Sequence, residues 1–251
     1  MVSNTDKILV AGATGGVGQL VMAKLLARDF NVRGLTRNKV KAEPMFENRV
    51  ELVEGDIRYP NTLVDAVKDI DYLICCTGTT AFPSLRWDFA NLFQPSNSPE
   101  AVEVDGVKNL LSAVPQDLKR FVFVSSCGVL RKDQLPFNIL NAFGVLDAKL
   151  KGEQAIASSG LPYTIIRPGR LIDGPYTSYD LNTLLRAKTD GKQDVKIEAG
   201  DNLNGDASRI DVANACVESL FYDTTVNKAF SIVNDGERPT NVDWEQLFAK
   251  L

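Results

Sequence analysis

Three glycines, one arginine, one serine and one lysine carry most of the chemistry open to this chain. Gly12, Gly15 and Gly18 stand in the run Gly12-Ala13-Thr14-Gly15-Gly16-Val17-Gly18. The run follows a short apolar stretch, Lys7–Ala11, and opens a segment with Val17, Leu20, Val21, Leu25 and Leu26 at helical spacing. A glycine-rich turn from strand into helix lets the backbone approach a pyrophosphate and aims helix N-terminal amides at it. The motif predicts a dinucleotide site built from Gly12, Thr14, Gly15, Gly16, Val17 and Gly18. Arg37 ends the next apolar stretch, Asn31–Thr36, and no acidic residue occurs between Asn31 and Lys41. An acid at this place would accept ribose hydroxyls, whereas an arginine suits a 2′-phosphate. Arg37 therefore points to NADP(H), with Arg33 and Lys39 as possible helpers.

What is missing constrains the chemistry as much. The 251 residues contain no histidine. That removes the commonest general base and metal ligand, so a Ser-His-Asp triad and a His-ligated metal are excluded and no metal site is expected. The four cysteines, Cys75, Cys76, Cys127 and Cys216, show no C-x-x-C spacing and read as small buried thiols. The net charge of −4 argues against a general nucleic-acid binder. No stretch approaches the roughly 20 apolar residues of a membrane-spanning helix. The polar start, Met1 to Lys7, has neither an apolar signal core nor an Arg/Ser-rich transit character. The expected setting is the bacterial or cyanobacterial cytoplasm, or the plastid stroma if a targeting peptide has been removed.

The elements that must position these residues alternate. Strands are expected at Lys7–Ala11, Asn31–Thr36, Val50–Glu54, Asp71–Cys76, Arg120–Ser125 and Leu161–Arg167. Helices are expected at Gly16–Arg28, from Asn61 to Lys68, at Glu100–Val114, and as one long helix over Phe137–Ser159 that Gly160 can end. This order means a parallel sheet with right-handed crossovers. The segment from Thr77 to Pro99 is long for a loop and rich in aromatics, including Phe82, Trp87, Phe89 and Phe93, which suggests an ordered flap. The last third is less regular. Leu181–Ala187, Ser208 to about Phe221 and Val242–Leu251 read as helices, and Val195–Glu198 and the apolar run Ala229–Val233 complete it. The expected fold class is α/β, a Rossmann-like doubly wound parallel sheet. Residues 1–251 form one NAD(P)-binding domain, with a core over 1–168 and a small, dependent C-terminal substrate lobe over 169–251 that packs against the carboxyl ends of the strands.

The order of motifs resembles the atypical short-chain dehydrogenase/reductases, in their NmrA-like, NAD(P)H-binding branch, with plastid and cyanobacterial members most similar. Its marks cover nearly the whole chain: the glycine run, Gly55-Asp56, Cys76-Thr77-Gly78, Ser125-Ser126, Lys149-Leu-Lys-Gly-Glu153 and Ile166-Arg-Pro-Gly169. The resemblance implies that Asp56 and Ile57 flank adenine, with the Asp56 carboxylate accepting its amino hydrogens. It places Thr77 and Gly78 along the adenosine ribose, Ser125 near the nicotinamide, and Pro168 and Gly169 along its ring. Active short-chain dehydrogenases carry Tyr-x-x-x-Lys on the long helix, two groups one turn apart on one face. Lys149 matches the lysine, but Val145 stands at the tyrosine position, and counting from Lys151 gives Asp147.

Two readings follow. Lys149 and Ser125 serve a reductase of a small carbonyl or quinone-like substrate, with the proton coming from Lys149, water, or Tyr176 or Tyr179. Alternatively the chain is a non-catalytic NADP(H)-dependent redox sensor or assembly factor acting through a protein partner. For the element Ser208-Arg209-Ile210-Asp211 the resemblance implies an Arg/Asp pair closing the substrate region against the sheet, while the residues themselves read as an ordinary helix cap with an acid in the first turn. Monomer and dimer both remain open.

Overall fold

The computed structural model describes residues 2–83, 96–173 and 193–251. Trp87, Phe89, Phe93, Tyr176, Tyr179 and the expected helix Leu181–Ala187 lie outside the described residues.

The strands are β1 (Lys7–Ala11), β2 (Asn31–Thr36), β3 (Glu51–Glu54), β4 (Tyr72–Cys75), β5 (Arg120–Val124), β6 (Tyr163–Pro168), β7 (Arg170–Leu171), β8 (Val195–Ala199), β9 (Asp206–Ala207) and β10 (Lys228–Asn234). The main sheet has eight strands in the order β3-β2-β1-β4-β5-β6-β10-β8. All its pairings are parallel except that of β8 with β10. A separate short ladder joins β7 to β9.

Alternation along the strands assigns the core. Ile8, Val10, Tyr72, Ile74, Val122 and Val124 meet one apolar cluster, while Leu9, Ala11, Leu73, Cys75, Phe121 and Phe123 meet another. Helices cover both faces, which is why the strands read as continuous apolar runs. The first cluster takes in α1 (Gly16–Leu26), Ala42 of the short α2 (Lys39–Ala42) and the helix over Arg209–Glu218. The second takes in α3 (Gly106–Ala113) and α5 (Val145–Ala157). The chain moves outward from β1 in both directions, through β2 and β3 on one side and through β4 to β6 on the other. That reversal opens a crevice at the carboxyl ends of β1 and β4.

Four expected elements differ. The helix from Asn61 to Lys68 does not form beyond a 3-10 turn at Pro60–Thr62. The buried Arg33 takes the carbonyls of Asp65, Ala66 and Lys68 at 3.1, 3.0 and 2.6 Å, acceptors that a continuing helix would use. The long helix splits into α4 (Phe137–Leu140) and α5, because Gly144 takes φ +75° and the Asn141 side chain accepts from the amides of Leu146 and Asp147 to restart the helix. The helix expected from Glu100 begins as a π-helical turn, Glu100–Asp105, and becomes α-helical at Gly106. The C-terminal helix shrinks to Trp244–Phe248, capped by Asp243. The last third also supplies β10 and β8, which extend the main sheet beyond β6 instead of only lying against strand ends.

Candidate functional site

The glycine run sits at the crevice. Gly12 adopts φ +80°, a conformation that disfavours any side chain, and a Cβ there would meet the backbone of Cys76 and Thr77 at 3.0 Å. At Gly18 a Cβ would stand 2.1 Å from the Gly12 carbonyl oxygen, so the helix can cross the turn this closely only without one. Gln19, fully buried, ties the loop by donating to the Thr14 carbonyl at 2.8 Å. Gly15 is the N-cap of α1, no side chain caps the helix, and its first turn holds no acidic residue. Its end is thus electropositive and open to an anion.

A cleft of about 600 Å³ extends from this loop. Gly12, Thr14, Gly15 and Gly16 line it together with Arg37, Asp56, Ile57, Thr77 and Gly78, and Thr77 packs against Gly12. Val17 and Gly18 are buried beneath it. Arg37 is exposed at the cleft edge and forms no hydrogen bond or salt bridge among the described residues. Arg33 is no helper to it: besides holding the three carbonyls it pairs with Glu51 at 2.8 Å, outside the cleft lining. Lys39 is exposed and does not line the cleft either.

Asp56 lines the cleft but its carboxylate is engaged. It accepts from the Arg58 amide and guanidinium at 2.5 to 3.1 Å, while Arg58 also reaches the Ser96 carbonyl at 2.6 Å. Burial alone would raise this carboxyl, but the Arg58 hydrogen bonds outweigh it and hold the group below the ordinary aspartate value.

The other half of the predicted site gathers around β5 and α5. Ser125 follows β5 and is buried, its amide donating to the Ile166 carbonyl at 2.7 Å, and its hydroxyl has no partner among the described residues. Lys149 is buried on α5 with its ammonium 3.0 Å from Glu103 and 5.6 Å from the centre of the Phe123 ring. A Cβ on Gly78 would stand 3.7 Å from that nitrogen, so Lys149 lies beside the Gly78 wall, though neither Lys149 nor Ser125 lines the cleft itself. Pro168 ends β6, its carbonyl accepting from the Cys127 amide, and Gly169 packs against the Gly205 carbonyl; neither lines the cleft.

Val145 is buried with Val129, Phe137 and Leu146 in a small apolar cluster. The tyrosine position is therefore filled by core packing. Asp147 offers no substitute, since it pairs with Lys132 and accepts from Asn141 at 2.8 Å, which hold its carboxyl below the usual range. Lys151 is on the outside, paired with Glu100. Arg209 and Asp211 do not pair with each other. Ser208 caps its helix, Arg209 reaches Asp173, and buried Asp211 binds Arg238 through two 2.9 Å bonds.

The uncapped helix end, the cradle that a Cβ at Gly18 would fill, and the orphan hydroxyl of Ser125 all suit a dinucleotide. Sequence reasoning does not single out Glu103 or Arg58. The available signal for Glu103 is a carboxylate between two apolar residues, Val102 and Val104, on a buried stretch. The thiols of Cys75, Cys127 and Cys216 are buried and that of Cys76 is half-buried, and none is in a disulfide. No helix among the described residues is long and apolar enough to cross a membrane.

Over residues 12–223 the chain matches a family described as NAD(P)H-binding. It is 32% identical to an uncharacterised chloroplastic protein of Arabidopsis thaliana, over 97% of this chain and 75% of that protein. It is 31% identical to sanguinarine reductase of Eschscholzia californica, over 97% of this chain and 95% of that protein. It is 28% identical to the photosystem II assembly factor Ycf39 of Cyanophora paradoxa, over 97% and 68% respectively. Among solved structures, an oxidoreductase of Lactococcus lactis aligns with a TM-score of 0.71 at 22% identity, covering 98% of this chain and 96% of that one. A short-chain dehydrogenase/reductase of Veillonella parvula in complex with NADP aligns at 0.61 and 19% identity, covering 94% and 99%. These structures share the Rossmann-like fold, and the chain itself belongs to the NAD(P)H-binding family, in its atypical short-chain dehydrogenase/reductase-like branch.

Proposed function

We propose that the chain binds NADP(H) and reduces a small carbonyl or quinone-like substrate without a catalytic tyrosine. The observation that carries the cofactor reading is Arg37, exposed at the cleft edge with no ion pair among the described residues. An unpaired guanidinium at this place suits a 2′-phosphate through charge-assisted bonds. The pyrophosphate lies on the amides of Gly16, Val17 and Gly18 under this reading, the Gly15 amide being taken by the Gly12 carbonyl at 2.9 Å. Ile57 packs on adenine while Asp56, already held by Arg58, meets its edge. Thr77 and Gly78 follow the adenosine ribose, and Pro168 and Gly169 border the nicotinamide. NADPH, when bound, supplies a hydride. Lys149 binds the nicotinamide ribose and, with the Ser125 hydroxyl, orients the substrate oxygen, to which Lys149 or water delivers the proton. The lobe over 169–251 acts with the core as one unit.

The test has two arms. NADPH and NADH affinities are measured for wild type and Arg37→Ala; equal affinities in both proteins would remove Arg37 and the NADP(H) preference together. NADPH oxidation is then followed with quinones and aromatic carbonyls, with Lys149→Ala expected to abolish turnover.

A second reading, a non-catalytic NADP(H)-dependent sensor or assembly factor, rests on Val145. A packed apolar cluster fills the place of the proton donor. The Ycf39 relative is named for an assembly role, and the chloroplastic label of the Arabidopsis relative supports a plastid setting. Tight NADPH binding, no turnover across the panel and a stably retained protein partner would decide for it.

A further inference from the structure

We infer that Glu103 is the positioning residue for Lys149, holding its ammonium in place beside the Gly78 wall of the cleft. The inference rests on the reading above, that Lys149 faces the nicotinamide ribose.

Glu103 is fully buried, and each of its oxygens has a defined partner. One accepts from the Lys149 ammonium at 3.0 Å, the other from the Thr79 amide at 3.0 Å. The carboxylate thus joins α5 to the segment after β4 that contains Gly78 and lines the cleft. A buried carboxylate without partners is strongly disfavoured, so this pair and the added amide bond fix each other's place.

The fold goes to some length to bring Glu103 there. The turn Glu100–Asp105 is π-helical, a geometry that widens a helix and re-aims its side chains. It meets α5 backbone to backbone at Gly152, where a Cβ would lie 2.4 Å from the Glu103 carbonyl oxygen. Gly152 is three residues after Lys149, on the same face of α5. The small residue thus lets the π turn approach at the level where the Glu103 side chain can reach the ammonium.

The surroundings leave Glu103 as the dominant partner. From β5, Lys149 meets the Phe123 ring. From β4, the buried Cys75 thiol lies near Glu103 and is pushed up to about 12, mainly by burial, so it stays neutral. One turn along α5, Glu153 is taken by Arg167 of β6 at 2.6 and 3.0 Å. Lys151, on the outer face, is matched to Glu100.

Glu103→Gln keeps the shape and an acceptor for the Thr79 amide but removes the charge. Acetylation of the cofactor-free protein, mapped by mass spectrometry with exposed Lys151 as internal reference, reads how firmly Lys149 is held. Lys149 is expected to react roughly tenfold faster in Glu103→Gln than in wild type, with Glu103→Asp in between. NADPH affinity is expected to fall several-fold while that for 2′,5′-ADP, which lacks the nicotinamide half, stays at the wild-type value. Unchanged Lys149 reactivity in a folded Glu103→Gln protein overturns the inference. So does an equal loss of NADPH and 2′,5′-ADP binding, which would mark Glu103 as a general structural residue. Lys149→Ala separates the two claims: if it leaves NADPH affinity intact, the role of Lys149 at the ribose is wrong, whatever the acetylation shows of its tie to Glu103.

Discussion

The two halves of the candidate site are built on opposite plans. At the phosphate end, around β1, α1 and β2, polar groups are mostly left open: the α1 terminus is uncapped and Arg37 forms no ion pair among the described residues. At the α5 end, charges are matched within the chain: Lys149 with Glu103, Arg167 with Glu153, and Asp147 with Lys132. The first arrangement waits for a ligand's charge. The second matches its charges to one another and holds the walls rigid, leaving the Ser125 hydroxyl without a partner among the described residues. Open charges signal binding, and matched ones signal geometry that must not move.

The largest effect should come from breaking a matched pair. Glu153 and Arg167 are both almost fully buried, with side-chain exposures of 4% and 7%. Glu153→Ala leaves the guanidinium unpaired between α5 and β6. It should destabilise the protein by about 3–5 kcal/mol in denaturant unfolding, because an isolated buried charge pays its full desolvation cost. A loss below about 1 kcal/mol would mean the α5 end is not rigidified by its ion pairs.

Next comes the glycine turn. Gly18→Ala places a methyl group against the Gly12 carbonyl, so the helix must shift away from the loop. Overpacking of this kind costs about 1–3 kcal/mol. Nucleotide affinity should fall more steeply than stability, since the amides lose their aim. Equilibrium binding beside thermal unfolding of one preparation separates the two. Arg37→Ala follows, with no expected change in stability. A charge-assisted bond of about 1.5–3 kcal/mol corresponds to roughly a 10- to 150-fold loss of NADPH affinity, with NADH unaffected.

The same contrast explains what could be read from the sequence. The phosphate end is local: Gly12 to Gly18 lie within one turn and Arg37 at the end of the next strand, so spacing alone reveals them. The sheet was legible for a similar reason, since strands such as Tyr72–Cys75 are apolar on both faces. The α5 end depends on partners far apart in the chain. Glu103 meets Lys149 across 46 positions, and no spacing rule connects them. Likewise the Asn61 to Lys68 stretch has a helical pattern, but Arg33, from a different element, takes its carbonyls. The break at Gly144 was visible as a glycine, yet its consequence needed Asn141 to recap the chain.

The smallest expected effect concerns Asp56, the exception within the open end. The resemblance assigns its carboxylate to adenine, but Arg58 already holds it through its amide and guanidinium. A group satisfied in the free protein has little to gain from a ligand. Asp56→Asn should therefore change NADPH affinity by less than about threefold, equivalent to under about 0.7 kcal/mol. Its effect on stability should instead depend on pH. The folded carboxyl is held below its ordinary value, so the unfolded chain takes up the proton first as pH falls. The contribution is complete above the unfolded value of about 4 and disappears as pH drops through the folded one. Because the site is partly open to solvent, it amounts to no more than about 1 kcal/mol. Unfolding curves of wild type and Asp56→Asn should be offset at pH 7 and converge in acid. A large loss of NADPH affinity in Asp56→Asn would instead return Asp56 to the adenine, and would show that a ligand can displace Arg58 and open a pair that the free protein keeps closed.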